Sequence, residues 1–506
     1  MTAFAKDYMH DVPRGDTIRP LRMQRIPQAC WMPLEDIQKS EFLKYHPRNP
    51  GKKILIGALG DQLIGIEDDR HLATIANSRS GKSVGLVSNL FFYQGSILAT
   101  DPKGELALLT ARAREKLGQK IHVLDPFKVT GDATNQWQAC YNPMDVLDAD
   151  SLTFLEDAAL IAESIVVQTP GTKDPHWDES AEHFIEGLII HVATAPQYLG
   201  MRNLVTVRRL VRRALNKPKG ASPETHPALF KELEDNADDL MQNDDLTVIG
   251  EALFAAATSF YNKTDSELAG VYSTIGRHTK FLDYPAFRNT LQRSDFSLRD
   301  LKAKPEGVSV YLCFPATRVA ISKRWMRLFI NQLLDAMASE KTKPQAPVLV
   351  CLDEFPALGY MQQLEMAAGL IASFDVKLWI VLQDWSQGRA LYGERWETFI
   401  GNAGTVQCFS VTDLATTRYI SERLGKTPVE VTRVGEVGQK QRGDGLAGYS
   451  ESIELHPLLT PDEVSRMFAR DDRLMRQLVL YAGHHPMMLQ RVLYYDRNGP
   501  LTPYMR

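Results

Sequence analysis

Three short stretches hold residue types that could do chemistry together. In HLATIANSRSGKSVGLV, Asn77, Ser78, Arg79, Ser80 and Gly81 lead into Lys82 and Ser83, and apolar residues at helical spacing follow. A loop of small residues entering a helix lets successive backbone N–H groups approach a phosphate, and the helix dipole favours the anion. A lysine there reaches the terminal phosphoryl oxygens, and the neighbouring hydroxyl holds Mg2+. Gly81, Lys82 and Ser83 stand in those places, while Ala76 replaces the glycine with which such loops ordinarily open. Alanine is small enough for a strand end, so the substitution need not close the loop.

The second stretch is APVLVCLDEFPALG, where an apolar run ends in Asp353 and Glu354. A site that hydrolyses ATP needs one carboxylate for the water shell of the metal and a second to orient the attacking water. Acidic pairs also close strands as turn residues or helix caps. What favours chemistry is the glycine–lysine–serine loop in the same chain. The third stretch, KLWIVLQ, ends in Gln383. An amide at the carboxyl end of a parallel strand faces the ligand crevice, where it can sense the γ-phosphate or orient water.

These residues need a scaffold that brings them to one edge. The runs KILIGA, QLIGIE, HLATIA, SILATD and KIHVLD precede residue 126, and VSVYLCFP, APVLVCLDEF, KLWIVLQ and TVQCFSV follow residue 307. Short runs rich in Val and Ile, separated by helical segments, predict a mostly parallel sheet covered on both faces. From about 150 to 275 the spacing turns helical, as in SLTFLEDAALIAESIVVQ and TVIGEALFAAATSFY. The expected fold is an α/β P-loop nucleotide-binding domain with an inserted all-α domain. Its parts are an arm at 1–50, a first nucleotide-binding part at 51–150, the helical insertion at 151–275 and a second nucleotide-binding part at 276–506. The five glycines of VGEVGQKQRGDGLAGYS, within 433–450, predict a mobile surface loop.

Composition removes several classes. The 506 residues carry 44% hydrophobic and 24% charged side chains, enough for a large core and more than one domain. The net charge of −4 gives no bulk attraction to nucleic acid, so contact there needs a local basic patch. Cys30, Cys140, Cys313, Cys351 and Cys408 have neither disulfide-framework nor zinc-ligand spacing, which fits a reducing compartment. No apolar run approaches the roughly 18–20 residues that span a bilayer.

Beyond the three stretches, DPKGE at 101–105 follows the strand after the loop's helix, and LDEFPALG surrounds the two acids. With PHWDESAEHFIEGLI, VYSTIGRHTKFLD, SDFSLRDLK, VSVYLCFPATRVAISKRWMRLFI, LWIVLQDWSQGRALYG and LLTPDEV, they make the chain resemble the coupling proteins of type IV secretion and bacterial conjugation from about residue 50 to 497. The resemblance implies a RecA-like domain, a homo-hexameric ring, and ATP-driven delivery of a relaxase, an effector protein or DNA to secretion-channel ATPases and inner-membrane subunits. It implies that Lys82 contacts phosphate, Ser83 and Asp353 serve Mg2+, Glu354 activates water and Gln383 senses the γ-phosphate, with Asp101 and Lys103 bordering the crevice. Such proteins usually carry two N-terminal transmembrane helices. Here the expectation is a separate membrane anchor docking on 1–50, or a cytoplasmic ATPase peripheral at the inner membrane. Two other readings of the same residues stand: a soluble DNA-translocating ring ATPase, and a nucleotide-binding substrate receptor with little hydrolysis.

Weaker signals complete the reading. A ring ATPase needs an arginine from the neighbouring subunit, and Arg277, Arg389, Arg418 and Arg423 are candidates. Arg208, Arg209, Arg212 and Arg213 fall on one helical face, which either meets DNA phosphates or an acidic partner, or pairs with the nearby stretch ELEDNADDLMQNDD. Trp177, Trp379 and Trp385 are expected to pack in the core, and His484 and His485 to sit in a turn.

Overall fold

The computed structural model describes residues 28–167, 176–216, 227–434 and 449–505. Its strands are β1 (Ile54–Leu59), β2 (Gln62–Ile66), β3 (His71–Ala76), β4 (Ile97–Asp101), β5 (Lys120–Leu124), β6 (Val308–Cys313), β7 (Val348–Leu352), β8 (Val376–Leu382), β9 (Ala403–Phe409), β10 (Lys426–Val434), β11 (Tyr449–Pro457), β12 (Arg476–Tyr481) and β13 (Met487–Gln490). The strands β9, β3, β8, β7, β4, β6 and β5 lie side by side in that order, all parallel. Their side chains alternate between two covered faces, which is why the runs read as continuously apolar. Ile75, Leu98, Val310, Val350 and Ile380 join a core shared with the Phe154–Ile165 and Val319–Ser339 helices. Leu72, Ala99, Tyr311, Cys351 and Trp379 pack with the Lys82–Leu90 and Glu105–Lys116 helices.

Beyond β9 the sheet changes direction. The strands β12, β13, β1 and β2 add in turn, each antiparallel to its neighbour. Gly60 and Asp61 alone connect β1 to β2, and a link that short can only make a hairpin. Gly60 takes the positive φ, +60°, that this turn requires. The described part of residues 1–50 is strapped to this end: Ile37 and Leu43 pack on Ile64, Ile66 and Tyr481, and Lys44 bridges Ile64. The pair β10–β11 forms a separate two-stranded ribbon, and the glycine-rich stretch expected to be a loop lies largely outside the described residues.

Between β5 and β6, every regular element among the described residues is helical. The rings of Phe184 and Phe260 stack there with centroids 3.7 Å apart. The arginine face is spent largely on internal ion pairs: Arg208 and Arg212 share Asp283 at 2.7 and 2.6 Å, and Arg213 meets Glu232 at 2.8 Å. Only the last pair uses the acidic stretch expected to cover the face, and Arg209 is exposed. Trp379 and Trp385 are buried, and Trp177 is half-buried against Gly270. His484 and His485 occupy the β12–β13 connection, and the described residues hold no cluster of three or more potential metal ligands. All five cysteines are free.

One buried cation ties the second covered face together. Arg114 is fully buried and makes five hydrogen bonds of 2.6–3.0 Å, to the carbonyls of Leu90, Tyr93 and Gly95, the Ser309 hydroxyl and the Gln119 amide oxygen. A buried charge is tolerated only when its donors are so satisfied. Arg114→Met leaves all five acceptors without this partner. It is expected to lower stability by about 3–5 kcal/mol, read from chemical denaturation.

Candidate nucleotide site

Register sets the geometry of the site. Ile75 of β3 pairs with Leu382 of β8, Ile380 of β8 with Leu352 of β7, and Leu352 with Thr100 of β4. Along this register β4, β8 and β3 run one, two and three residues past the end of β7, and the segments that follow them open at one edge of the sheet. A cavity of about 430 Å³ lies there, lined by Ser83, Asp101, Lys103, Asp353, Glu354 and Gln383.

The loop 77–81 gets its shape from two left-handed residues, Arg79 (φ 58°) and Gly81 (φ 90°), before the helix starts at Lys82. At Gly81 a Cβ would meet only the Val84 side chain, at 3.6 Å, so glycine is required by the backbone conformation and not by crowding. Asn77 Nδ2 donates to Thr412 Oγ1 at 2.8 Å, and the buried Ser80 hydroxyl donates to the Asn77 carbonyl. Ser78 and Arg79 are exposed. Ala76 is the last residue of β3, extended and fully buried, so the position where glycine is missing never adopts a conformation that needs one.

The carboxylates face this loop. Ser83 Oγ donates to Asp353 Oδ2 at 2.9 Å, and Thr100 Oγ1 donates to the Asp353 carbonyl at 2.9 Å. Burial pushes the Asp353 carboxyl up to about 6, against the opposing hydrogen bond from Ser83. Burial also raises Asp101 to about 6, although its Oδ2 accepts from Ala107 N at 2.9 Å and so caps the Glu105–Lys116 helix. Desolvation lowers the Lys82 ammonium, while Glu354 and Asp353 favour its charged form. Lys103 is exposed at the rim.

Glu354 has left-handed backbone angles, φ 56° and ψ 51°, which are rare and costly for a residue with a Cβ. Its carboxylate accepts from Gln383 Nε2 at 3.3 Å, and Gln383 N is held in turn by Gln387 Oε1 at 3.0 Å. Asp384 caps the Trp385–Tyr392 helix through Gln387 N. The hydroxyl of Ser83 and the buried carboxylate of Asp353 are hard oxygen donors, a set that fits Mg2+ completed by water and phosphate.

Of the expected residues, Ser83, Asp101, Lys103, Asp353, Glu354 and Gln383 line this cavity, Ser80, Gly81 and Lys82 line a second, smaller one, and the arginines lie elsewhere. Arg277 pairs with Asp178 in the helical segment, at 3.3 Å, and Arg389, Arg418 and Arg423 are exposed; none of the four lines the cavity. Sequence reading missed Thr100 and Arg491, whose guanidinium binds the Ser80 carbonyl at 3.0 Å. Neither carries a local signal, because each acts on a segment distant in the chain. Sequence reading missed Asp384 too, whose signal is its place just before a helix and three positions before Gln387.

Comparison with known proteins agrees with this fold. Residues 21–504 match the family described as type IV secretory system conjugative DNA transfer. The conjugal transfer protein TraG of Escherichia coli is 25% identical over 507 residues, which cover 92% of this chain and 72% of that protein. TraG of Agrobacterium fabrum is 27% identical over 419 residues, covering 80% and 57%, and VirD4 of the same organism is 28% identical over 439, covering 84% and 59%. The chain thus spans between 57% and 72% of the length of these relatives. Among solved structures, the conjugative coupling protein TrwBdeltaN70 in complex with sulphate superposes with a TM-score of 0.60 at 14% identity, covering 92% of this chain and 95% of that one. TrwB in complex with ADP and Mg2+ gives 0.55 at 16%, covering 84% and 85%. The shared fold is the RecA-like P-loop domain with an inserted all-α domain. Among the described residues no helix is long and apolar enough to cross a membrane. The chain belongs to the type IV secretory system conjugative DNA transfer family.

Proposed function

We propose that this protein is an ATP-driven coupling protein, recruiting DNA–protein or protein substrates and delivering them to a type IV secretion or conjugation channel. The observation that carries this reading is the hydrogen bond from Ser83 to the buried Asp353, with Glu354 and Gln383 on the same cavity. TrwB, whose fold it shares, has been crystallised with ADP and Mg2+ and with an ATP analogue.

In this reading the backbone of 78–83 cradles the phosphates and Lys82 neutralises their terminal oxygens. Ser83 and Asp353 would hold Mg2+, which supplies charge neutralisation to the phosphate chain when bound. Glu354 accepts the proton of the attacking water, and Gln383, hydrogen-bonded to that carboxylate, reads whether the γ-phosphate is present. Asp101 and Lys103 border the same crevice. The cargo is a relaxase, an effector protein or DNA. The other partners are channel ATPases and inner-membrane subunits, with a separate membrane anchor, copies of this chain in a hexamer, and a station at the bacterial inner membrane.

The test is steady-state ATPase measurement. Glu354→Gln is expected to lower kcat by about 10²–10⁴-fold with nucleotide binding kept, and Lys82→Ala to weaken nucleotide binding at least about tenfold. Wild-type rates in both variants would overturn the assignment.

Asp353 gives a prediction with the opposite sign for stability. Its carboxyl in the folded, ligand-free protein titrates near 6, above the ordinary 3.8, so the folded state holds the proton more tightly than the unfolded chain. Stability from this group therefore falls as pH rises from about 4 to 6, and the cost persists above that. Asp353→Asn should raise ligand-free stability at pH 8 by on the order of 1–3 kcal/mol, a gain that fades toward pH 4. The same variant should lose Mg2+-dependent nucleotide affinity. Both are readable by thermal melts across pH, with and without ADP and Mg2+.

A further inference from the structure

Behind the phosphate loop lies a guanidinium that the reading above does not use. Arg491 directly follows β13. Its Nη1 donates to the Ser80 carbonyl at 3.0 Å, its Nε to the Met475 carbonyl at 3.4 Å, and its Nη2 to the Arg470 carbonyl and the Met475 sulfur, each at 3.4 Å. The guanidinium also lies 5.1 Å from the centre of the Phe409 ring. None of these hydrogen-bond acceptors is a carboxylate. Arg491 also lines a small cavity of about 40 Å³ together with Gly81 and Lys82.

The contact at Ser80 has a directional consequence. In a trans peptide the carbonyl and the following N–H point to opposite sides, so holding the Ser80 oxygen toward Arg491 turns the Gly81 N–H the other way. A carbonyl oxygen facing a phosphate would repel it, whereas an N–H attracts it. The left-handed angles of Arg79 and Gly81 leave this peptide between two unusual backbone conformations, where an external clamp decides its orientation. Lysine could not substitute, because a single ammonium lacks the planar fork that reaches three carbonyls.

We propose that Arg491 is a positioning residue for the nucleotide: it draws the Ser80 carbonyl away from the phosphate and presents the Gly81 N–H to it. This rests on the reading of 77–83 as a phosphate cradle. It also makes the loop answer to the C-terminal β12–β13 hairpin, since the clamp is anchored there.

The experiment is calorimetric titration of ADP with Mg2+ into the full chain, for wild type, Arg491→Ala, Arg491→Lys and Lys82→Ala. Arg491→Ala is expected to weaken ADP about tenfold or more, Arg491→Lys to recover only part of that, and added methylguanidinium to restore the alanine variant toward wild type. A residue that merely supported the fold would lower the melting temperature of the free protein without this ligand-specific loss or its chemical rescue. Wild-type affinity in Arg491→Ala, with affinity lost in Lys82→Ala, overturns the proposal and leaves the site reading intact. Wild-type affinity in Lys82→Ala instead overturns the site reading itself. Should the alanine variant fail to fold, Arg491→Lys decides, and unchanged affinity there refutes the clamp.

Discussion

Everything at the candidate site depends on the register of four buried parallel strands. Each of β3, β8, β7 and β4 is covered on both faces, so a slip of one residue would exchange its two sets of side chains between unlike cores. It would also move a strand end by about 3.3 Å, which is more than a hydrogen bond tolerates. The bond from Ser83 to Asp353 spans 270 residues of chain and exists only because β3 and β7 are held in one register on either side of β8. The bond from Thr100 to the Asp353 carbonyl fixes β4 to the same point.

On that rigid edge the protein keeps groups that do not favour the folded state. Two carboxylates are buried where they prefer to hold a proton, a lysine is partly desolvated, and Glu354 adopts left-handed backbone angles. A loose scaffold would relax each of these. The surrounding layers do not allow it: strand residues sit near complete burial, and Arg114 binds the segment between the phosphate-loop helix and β4 to β6. A ligand carrying both negative phosphates and a divalent cation would meet the unbalanced charges in pairs, which is why they can be tolerated before it arrives.

The sequence reading reached the parallel core because doubly covered strands leave an unmistakable apolar run, and all nine expected runs are strands. It singled out Lys82 and Ser83 because they open a helix separated by five residues from such a run, and Asp353, Glu354 and Gln383 because they stand at the end of one. It did not reach the antiparallel extension. RQLVLY and MMLQ are short, and the partners that give them a face, β9 and β1, are remote in the chain. Within LQRVLYYD the strand β13 ends at Gln490, and Arg491, the next residue, meets the phosphate loop. The arginine face likewise could not announce Asp283, since an ion pair between distant segments has no spacing to read.

The way β1 and β2 enter the sheet bears on how the molecule is made. Ala58 finds its partner at Gln490, 432 residues later, and β12 and β13 are what join that hairpin to β9. A polypeptide emerging from the ribosome therefore presents Ile56 and Ile64 long before Val479, Tyr481, Met487 and Leu489 exist to complete their cover. The nascent hairpin must wait for β12 and β13, and until they arrive its unpaired edge stands to gain from a chaperone.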